Sequence, residues 1–212
     1  MPESGTDRYQ QHRAQAILAA ASVFSEKGFH GATTKDIAER LGIKQGSLYY
    51  YFRSKEEALE EVCLFGIRDY VERMGRIAAS NQPFEARLLA VLTSHLSSYR
   101  ERNEALKVHN DERLYLPPER RTRLKELGTH YRELLERIFE DGVDDGTLHP
   151  SLDCHFAAQS VIGLCNAWGD IIVREHELDI FAVIQKCADL LLDGFREQRG
   201  AMRVPNEHGN AA

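Results

Sequence analysis

Residues 33–55, TTKDIAERLGIKQGSLYYYFRSK, constrain the fold more than any other stretch of the chain. Their pattern admits two short helices around a tight turn. Thr33 and Thr34 are suited to cap the first helix, since a hydroxyl accepts a hydrogen bond from an unpaired helix N–H. Ile37, Ala38 and Leu41 recur at helical spacing and give it one apolar face. Gly42 then stops it, because glycine enters the left-handed C-cap without a Cβ penalty. A second helix is expected over about Gln45–Tyr51, with Leu48 and Phe52 facing inward and Gln45, Gly46, Tyr49 and Tyr50 largely on other faces. Such a pair is a helix-turn-helix, whose second helix enters the DNA major groove. Ser54 with Glu57 reads as a capping box for the next helix. A short helix cannot bury three consecutive tyrosines, and exposed aromatics mark binding surfaces.

The rest of the chain is punctuated as helices, with few hairpin signals and no internal repeat. A first helix over about Asp7–Lys27 should stop at Gly28, burying Ile17, Leu18, Ala21 and Phe24. Later helices are expected over about Lys55–Ala79, Phe84–Arg100, Glu104–Tyr115, Pro118–Gly142, Asp153–Arg174 and Ile180–Arg199, separated by Asn81-Gln82-Pro83, Pro117-Pro118 and Asp145-Gly146. The fold class is therefore all-α, with about nine helices. A three-helix head over residues 1–54 carries the helix-turn-helix. A second helical domain is expected over 55–200, which the family resemblance given below makes a ligand-binding and dimerisation domain, and residues 201–212 are expected to form a small polar, disordered tail. The segment AAQSVIGLCNAWGDIIV is apolar nearly all round, and such a helix must be covered on every side. Its own core and a second copy of the chain can do that, through residues of about 153–199.

Composition sharpens the functional reading. The chain has 212 residues and a net charge of −6. Residues 1–55 carry eight Lys and Arg against five Asp and Glu, a net +3 that leaves −9 on the remainder. A basic head on an acidic body is oriented by the phosphates of DNA. The four cysteines are widely spaced, with no metal-binding pattern, as expected of reduced core residues. No secretory leader and no membrane span are expected, so the chain should be cytoplasmic. There is no phosphate-binding glycine loop, no Gly-x-Ser-x-Gly and no His-Glu-x-x-His, so an enzyme is not expected. His95, His109 and His155 lack helical ligand spacing, and neither a metal nor another cofactor is expected.

The ordered string of Thr pair, Ile-Ala, Leu-Gly, Gly-Ser-Leu-Tyr, aromatic triplet, Phe and Ser-Lys-Glu resembles the DNA-reading segment of the tetracycline-repressor (TetR) family of bacterial transcription factors. The resemblance implies a homodimer whose last two helices form a four-helix bundle with their two-fold mates. It implies double-stranded operator DNA as one partner and a small-molecule effector as another. Carried over by position, Thr34, Tyr51 and Lys55 would hold phosphates, Lys44 and Gln45 would sit at the mouth of the recognition helix, and Gly46 would let the backbone approach. Tyr49 and Tyr50 could touch bases, thymine methyls or phosphates. Tyr51 stands where histidine is common in the family.

The effector site has candidates but no code. Phe65, Leu89, Leu92, His95, Leu96, Tyr99, His109, Tyr131, Leu135, Ile162, Asn166 and Trp168 are expected to face inward. Asn166 is read as a buried amide in need of a partner, and Trp168 as a cavity wall. Arg113, Arg120, Arg121, Arg123 and Lys125 form a basic cluster that is either a solvated face or a clamp for an anion such as an acyl-coenzyme A. The chain's look is similar to family members that control acyl-CoA breakdown. A constitutive DNA-binding protein without effector, and a Cys/His enzyme, are the alternatives.

Overall fold

The computed structural model describes residues 5–101 and 103–196. These residues form nine α-helices and no strand: α1 (Gly5–Gly31), α2 (Thr34–Leu41), α3 (Gln45–Leu48), α4 (Lys55–Ala78), α5 (Phe84–Glu101), α6 (Asn103–Glu112), α7 (Thr122–Asp144), α8 (Cys154–Arg174) and α9 (Ile180–Arg196). Two 3-10 turns, Arg113–Tyr115 and Pro118–Arg121, join α6 to α7. The expected tail, and the last residues of the expected ninth helix, lie outside the described residues.

Local chemistry sets the head's boundaries. Thr33 caps α2: its Oγ1 accepts from Asp36 N (3.1 Å), and Asp36 Oδ2 accepts from Thr33 N (2.8 Å). Lys27 Nζ lies 2.6 Å from the same carboxyl group and, with Thr33, holds its pKa down to about 2. Gly42 closes α2 in the left-handed region (φ 74°). The α-helical part of the recognition helix ends at Leu48. Tyr49–Tyr51 continue it as a tighter turn, in which Tyr50 N and Tyr51 N donate to Ser47 O and Leu48 O. Ser54 Oγ accepts from Glu57 N, but Glu57 returns its carboxylate to Arg53 N (2.7 Å) rather than to the cap residue.

The first helix does not stop at Gly28. It breaks there (φ 68°, ψ 168°) and resumes for one turn to Gly31. Leu18 is exposed, because the covered stripe runs through Ala16, Ile17, Ala20, Val23 and Phe24, one helical step away. The head core joins these to Ile37, Ala38, Leu48 and Phe52.

Helix α4 leaves the head and packs against α5, α6 and α7, so one rod spans both regions. It crosses α6 closely: a Cβ on Gly66 would lie 2.9 Å from Ala105 O. Leu89, expected inside, is exposed. Helices α8 and α9 both lie on α5. α8 has the length and apolarity of a membrane span, yet it buries Ala157, Ala158, Val161, Cys165, Gly169 and Ile172. Its outer face, with Phe156, and that of α9, with Phe181 and Leu190, stay open. All four cysteines are free thiols, three of them buried.

Candidate functional site

Two surfaces carry the candidate chemistry. On the head, Tyr49 and Tyr50 are 52% and 69% exposed, whereas Tyr51 is half-buried against the core. Tyr9, from the start of α1, meets Tyr50 edge-on (5.3 Å between centroids) and stacks on Tyr51 (6.4 Å). Nothing in the local sequence could have singled out Tyr9, since only the fold brings it across from far upstream. Gln45 Nε2 donates to Thr34 Oγ1 (3.0 Å), which fixes the amide at the front of α3. Lys44 is exposed, and a Cβ on Gly46 would meet nothing within 4 Å.

Lys55 is more committed than a phosphate contact requires. Its Nζ donates to Phe29 O (2.8 Å) and Ala32 O (3.0 Å) and sits 4.3 Å from the centre of the Phe29 ring. An ammonium has three donors, so one is left. The turn that Lys55 caps is the one beyond the Gly28 break. It is held from the body as well: Phe29 N donates to Glu112 Oε2 (2.9 Å), and Tyr115 packs on Phe29 and His30. Glu112 was invisible to sequence reasoning for the same reason as Tyr9.

In the body, a cleft of about 1010 Å³ opens between α6, the two 3-10 turns and α7. His109, Arg113, Arg121, Lys125, His130 and Arg132 line it, together with Leu114, Pro118 and Leu124. The basic cluster therefore divides. Arg120 pairs with Glu60 (2.8 Å), and Arg123 with Glu60 and Glu61, so both turn toward α4 and away from the cleft. Arg121 faces the cleft with no ion-pair partner among the described residues. Arg113 Nη1 donates to His109 O (3.1 Å) and Asn110 O, which ties the rim to the end of α6.

Behind the cleft the interior is filled. His95 Nδ1 and Tyr131 Oη are 2.9 Å apart, and Tyr70 stacks on His95. Tyr99 Oη accepts from Asn110 Nδ2 and donates to Asn166 Oδ1, both at 3.2 Å, linking α5, α6 and α8. The Tyr99 ring lies on bare α8 backbone, where a Cβ on Gly169 would come within 2.1 Å of it. Burial pushes the His95 pKa down to about 4 and the Tyr99 phenol up to about 12. Burial, with Arg113 beside it, does the same to His109, at about 4.

The expected effector residues thus fall into three groups. His109 and Arg121 line the cleft. Leu92, His95, Tyr99 and Tyr131 form the closed interior behind it. Asn166 is exposed rather than buried, on the outer side of α8, while Ile162, Trp168 and Phe65 are half-buried at the core's edge. Asn166 does have a partner, Tyr99, but reaches it from the surface. His155 is occupied by Glu136 (2.8 Å) and His95 by Tyr131, so the three histidines share no centre. No metal-holding group occurs among the described residues.

Comparison with known proteins agrees with this architecture. Residues 16–62 match the model for bacterial regulatory proteins of the tetR family, and residues 81–170 match a tetracyclin repressor-like C-terminal domain. The chain belongs to the tetR family. It is 33% identical over 198 residues, 91% of this chain and 95% of the relative, to the HTH-type transcriptional repressor KstR2 of Rhodococcus jostii. It is 24% identical over 188 residues (87% and 95%) to the fatty acid metabolism regulator protein of Bacillus subtilis. Among solved structures it superposes with a TM-score of 0.74 and 25% identity on the transcriptional regulator FadR of B. subtilis in complex with stearoyl-CoA, covering 86% of this chain and 99% of that one. With PfmR of Thermus thermophilus the TM-score is 0.79 at 24% identity, covering 86% and 99%, which speaks for the fold alone.

Proposed function

We propose that the chain is a homodimeric repressor that reads a palindromic operator through α3 and is released by an acyl-CoA or related apolar anion. Thr34, Lys44, Gln45, Gly46, Tyr49, Tyr50 and Tyr51 form the DNA-contacting set, with Gln45 and Tyr49 toward bases and Thr34 and Tyr51 toward phosphates. Lys55 contributes its remaining donor. The open apolar faces of α8 and α9 are covered by the second copy, and a two-fold dimer meets two half-sites. The protein is a regulator and not an enzyme, and it works in the cytoplasm.

The observation that carries the effector reading is the cleft. Arg113, Arg121 and Lys125 supply positive charge beside the apolar Leu114, Pro118 and Leu124, on a body that is otherwise acidic. That pairing suits a ligand with a phosphorylated head and an apolar tail, and a relative of the same fold holds stearoyl-CoA. The cleft also sits at the joint. Arg113 follows Glu112, which holds the last turn of α1, so a ligand drawing on Arg113 would pull on the head's attachment. The filled interior favours a second reading, DNA binding without any effector.

Calorimetry separates the two readings. Acyl-CoAs and free fatty acids are titrated into the dimer with and without operator. The effector reading expects an acyl-CoA to bind the free dimer about 5- to 150-fold more tightly than the DNA-bound one, with the operator weakened reciprocally. Arg121→Ala should weaken the CoA ester while sparing an uncharged ligand. No binding, or equal binding to both forms, would leave the constitutive reading.

A further inference from the structure

Within the cleft, one group is not accounted for by charge or by apolar contact. His109 lines the wall on the α6 side, beside Arg113. Of its two ring nitrogens, Nδ1 is sealed from solvent with no hydrogen-bond partner among the described residues. A neutral imidazole carries one proton, on one nitrogen only. A buried N–H without an acceptor is rarer and costlier than a bare lone pair. The proton therefore belongs on Nε2, the ring nitrogen that is not both sealed and unpartnered, on a residue that lines the cleft. Burial, and then the neighbouring Arg113 guanidinium already bound to His109 O, oppose a positive charge on the ring. His109 thus offers the cleft one uncharged N–H donor, set between a cationic rim and the apolar Leu114 and Leu124.

A lone uncharged donor is a poor partner for phosphate beside the cations Arg113, Arg121 and Lys125, but it suits a neutral acceptor. Between the phosphates and the tail of an acyl-CoA there is such an acceptor at the root of the tail, the thioester carbonyl. We infer that His109 reads the acyl carbonyl of the effector through Nε2–H, and so distinguishes an acyl thioester from an alkyl chain on the same carrier. The inference rests on the proposed acyl-CoA reading and adds a specificity-determining residue to it. It also gives a use to a histidine at a wall where Leu or Phe would pack without leaving an unpaired nitrogen.

The test compares palmitoyl-CoA with S-hexadecyl-CoA, a thioether in which a methylene replaces the carbonyl. The wild-type dimer should prefer the thioester by about 2- to 12-fold, the range of one net hydrogen bond. His109→Gln, which keeps an N–H donor, should retain a preference. His109→Leu should bind both ligands equally, losing affinity for the thioester alone. Equal binding of the two ligands by the wild type, or a preference that survives His109→Leu, would overturn the carbonyl assignment and leave the acyl-CoA reading intact. If the wild type binds neither ligand, both fall together. The wild-type comparison and the Gln variant keep the test decisive even where the Leu variant fails to fold.

Discussion

The head and the body are both helical, but the bonds that define them differ in reach. In the head, Thr33 answers Asp36, Glu57 answers Arg53, and Gln45 reaches Thr34, eleven residues away. In the body, Tyr99 meets Asn166 across 67 residues, Arg87 meets Asp141 across 54, and Arg120 meets Glu60 across 60. The head's charges are mostly exposed pairs, such as Arg40–Glu26 and Lys27–Asp36, each worth little alone. Several of the body's polar groups, such as Glu60, Arg87, His95 and Ser98, are buried in low dielectric, where a satisfied bond counts for more and a broken one costs more. A surface that reads DNA can thus be built largely from local rules, Tyr9 and Glu112 apart, whereas a site that fits one molecule among many depends on distant residues meeting.

The largest effect expected from this contrast follows Leu48→Asp. Leu48 is 2% exposed at the centre of the head core, and an unpaired carboxylate there should cost several kcal/mol. Operator binding should vanish while calorimetry still finds ligand bound by the body. Loss of both would mean that the two regions melt as one unit, against the contrast drawn here.

Acid should separate the regions next. The folded-state pKa of His95 and His109, about 4, lies below the ordinary 6.5, so the unfolded chain takes up protons first. Their contribution is complete above pH 6.5 and is lost as pH falls toward 4, at about 1.4 kcal/mol per histidine per pH unit. Asp36 works in the head with the same sign but lower on the scale, from 3.8 down to about 2. Circular dichroism against pH should therefore show the body loosening between pH 6.5 and 4, with the head's capping failing only below about pH 4. Simultaneous loss, or a body more stable at pH 5 than at pH 7, would contradict this order.

The smallest effect is the most selective. Gln45→Ala should weaken operator binding by about 1–3 kcal/mol and leave random DNA nearly unchanged, as the base-reading role proposed for the amide requires. Its bond to Thr34 makes the two residues a unit, so Thr34→Val should blur the same base preference. Binding measured on operator variants and random duplexes decides. Equal weakening on both would return Gln45 to the backbone-contacting set.

How much of this was legible follows the same division. The helix-turn-helix, its caps and its glycine stop could be read from neighbouring residues, because their partners are neighbours. Errors began where periodicity names a face but not its cover. Leu18 and Leu89 carry the right spacing and the wrong exposure, since the stripe that packing covers is offset by one helical step. Asn166 looked buried in an apolar run, but that run keeps one side open. The basic cluster read as either a solvated face or a clamp, and the 3-10 turn at Pro118–Arg121 divides it, sending Arg120 toward α4 and Arg121 into the cleft. Tyr9 and Glu112 had no short-range signal at all.

The Gly28 break has a consequence for inheritance. The turn beyond it is finished by two side chains that lie outside the head's own stretch of chain, Lys55 on its carbonyls and Glu112 on its amide. A recombination event that joined this head to another body at residue 54 would carry the break across and leave both stoppers behind. The graft would arrive with a loose last turn and a recognition surface no longer registered to its carrier. What can be exchanged between such proteins is therefore not an interval of sequence. It is that interval plus a lysine just past its edge and a glutamate more than fifty residues on, which must travel together or be rediscovered by the recipient.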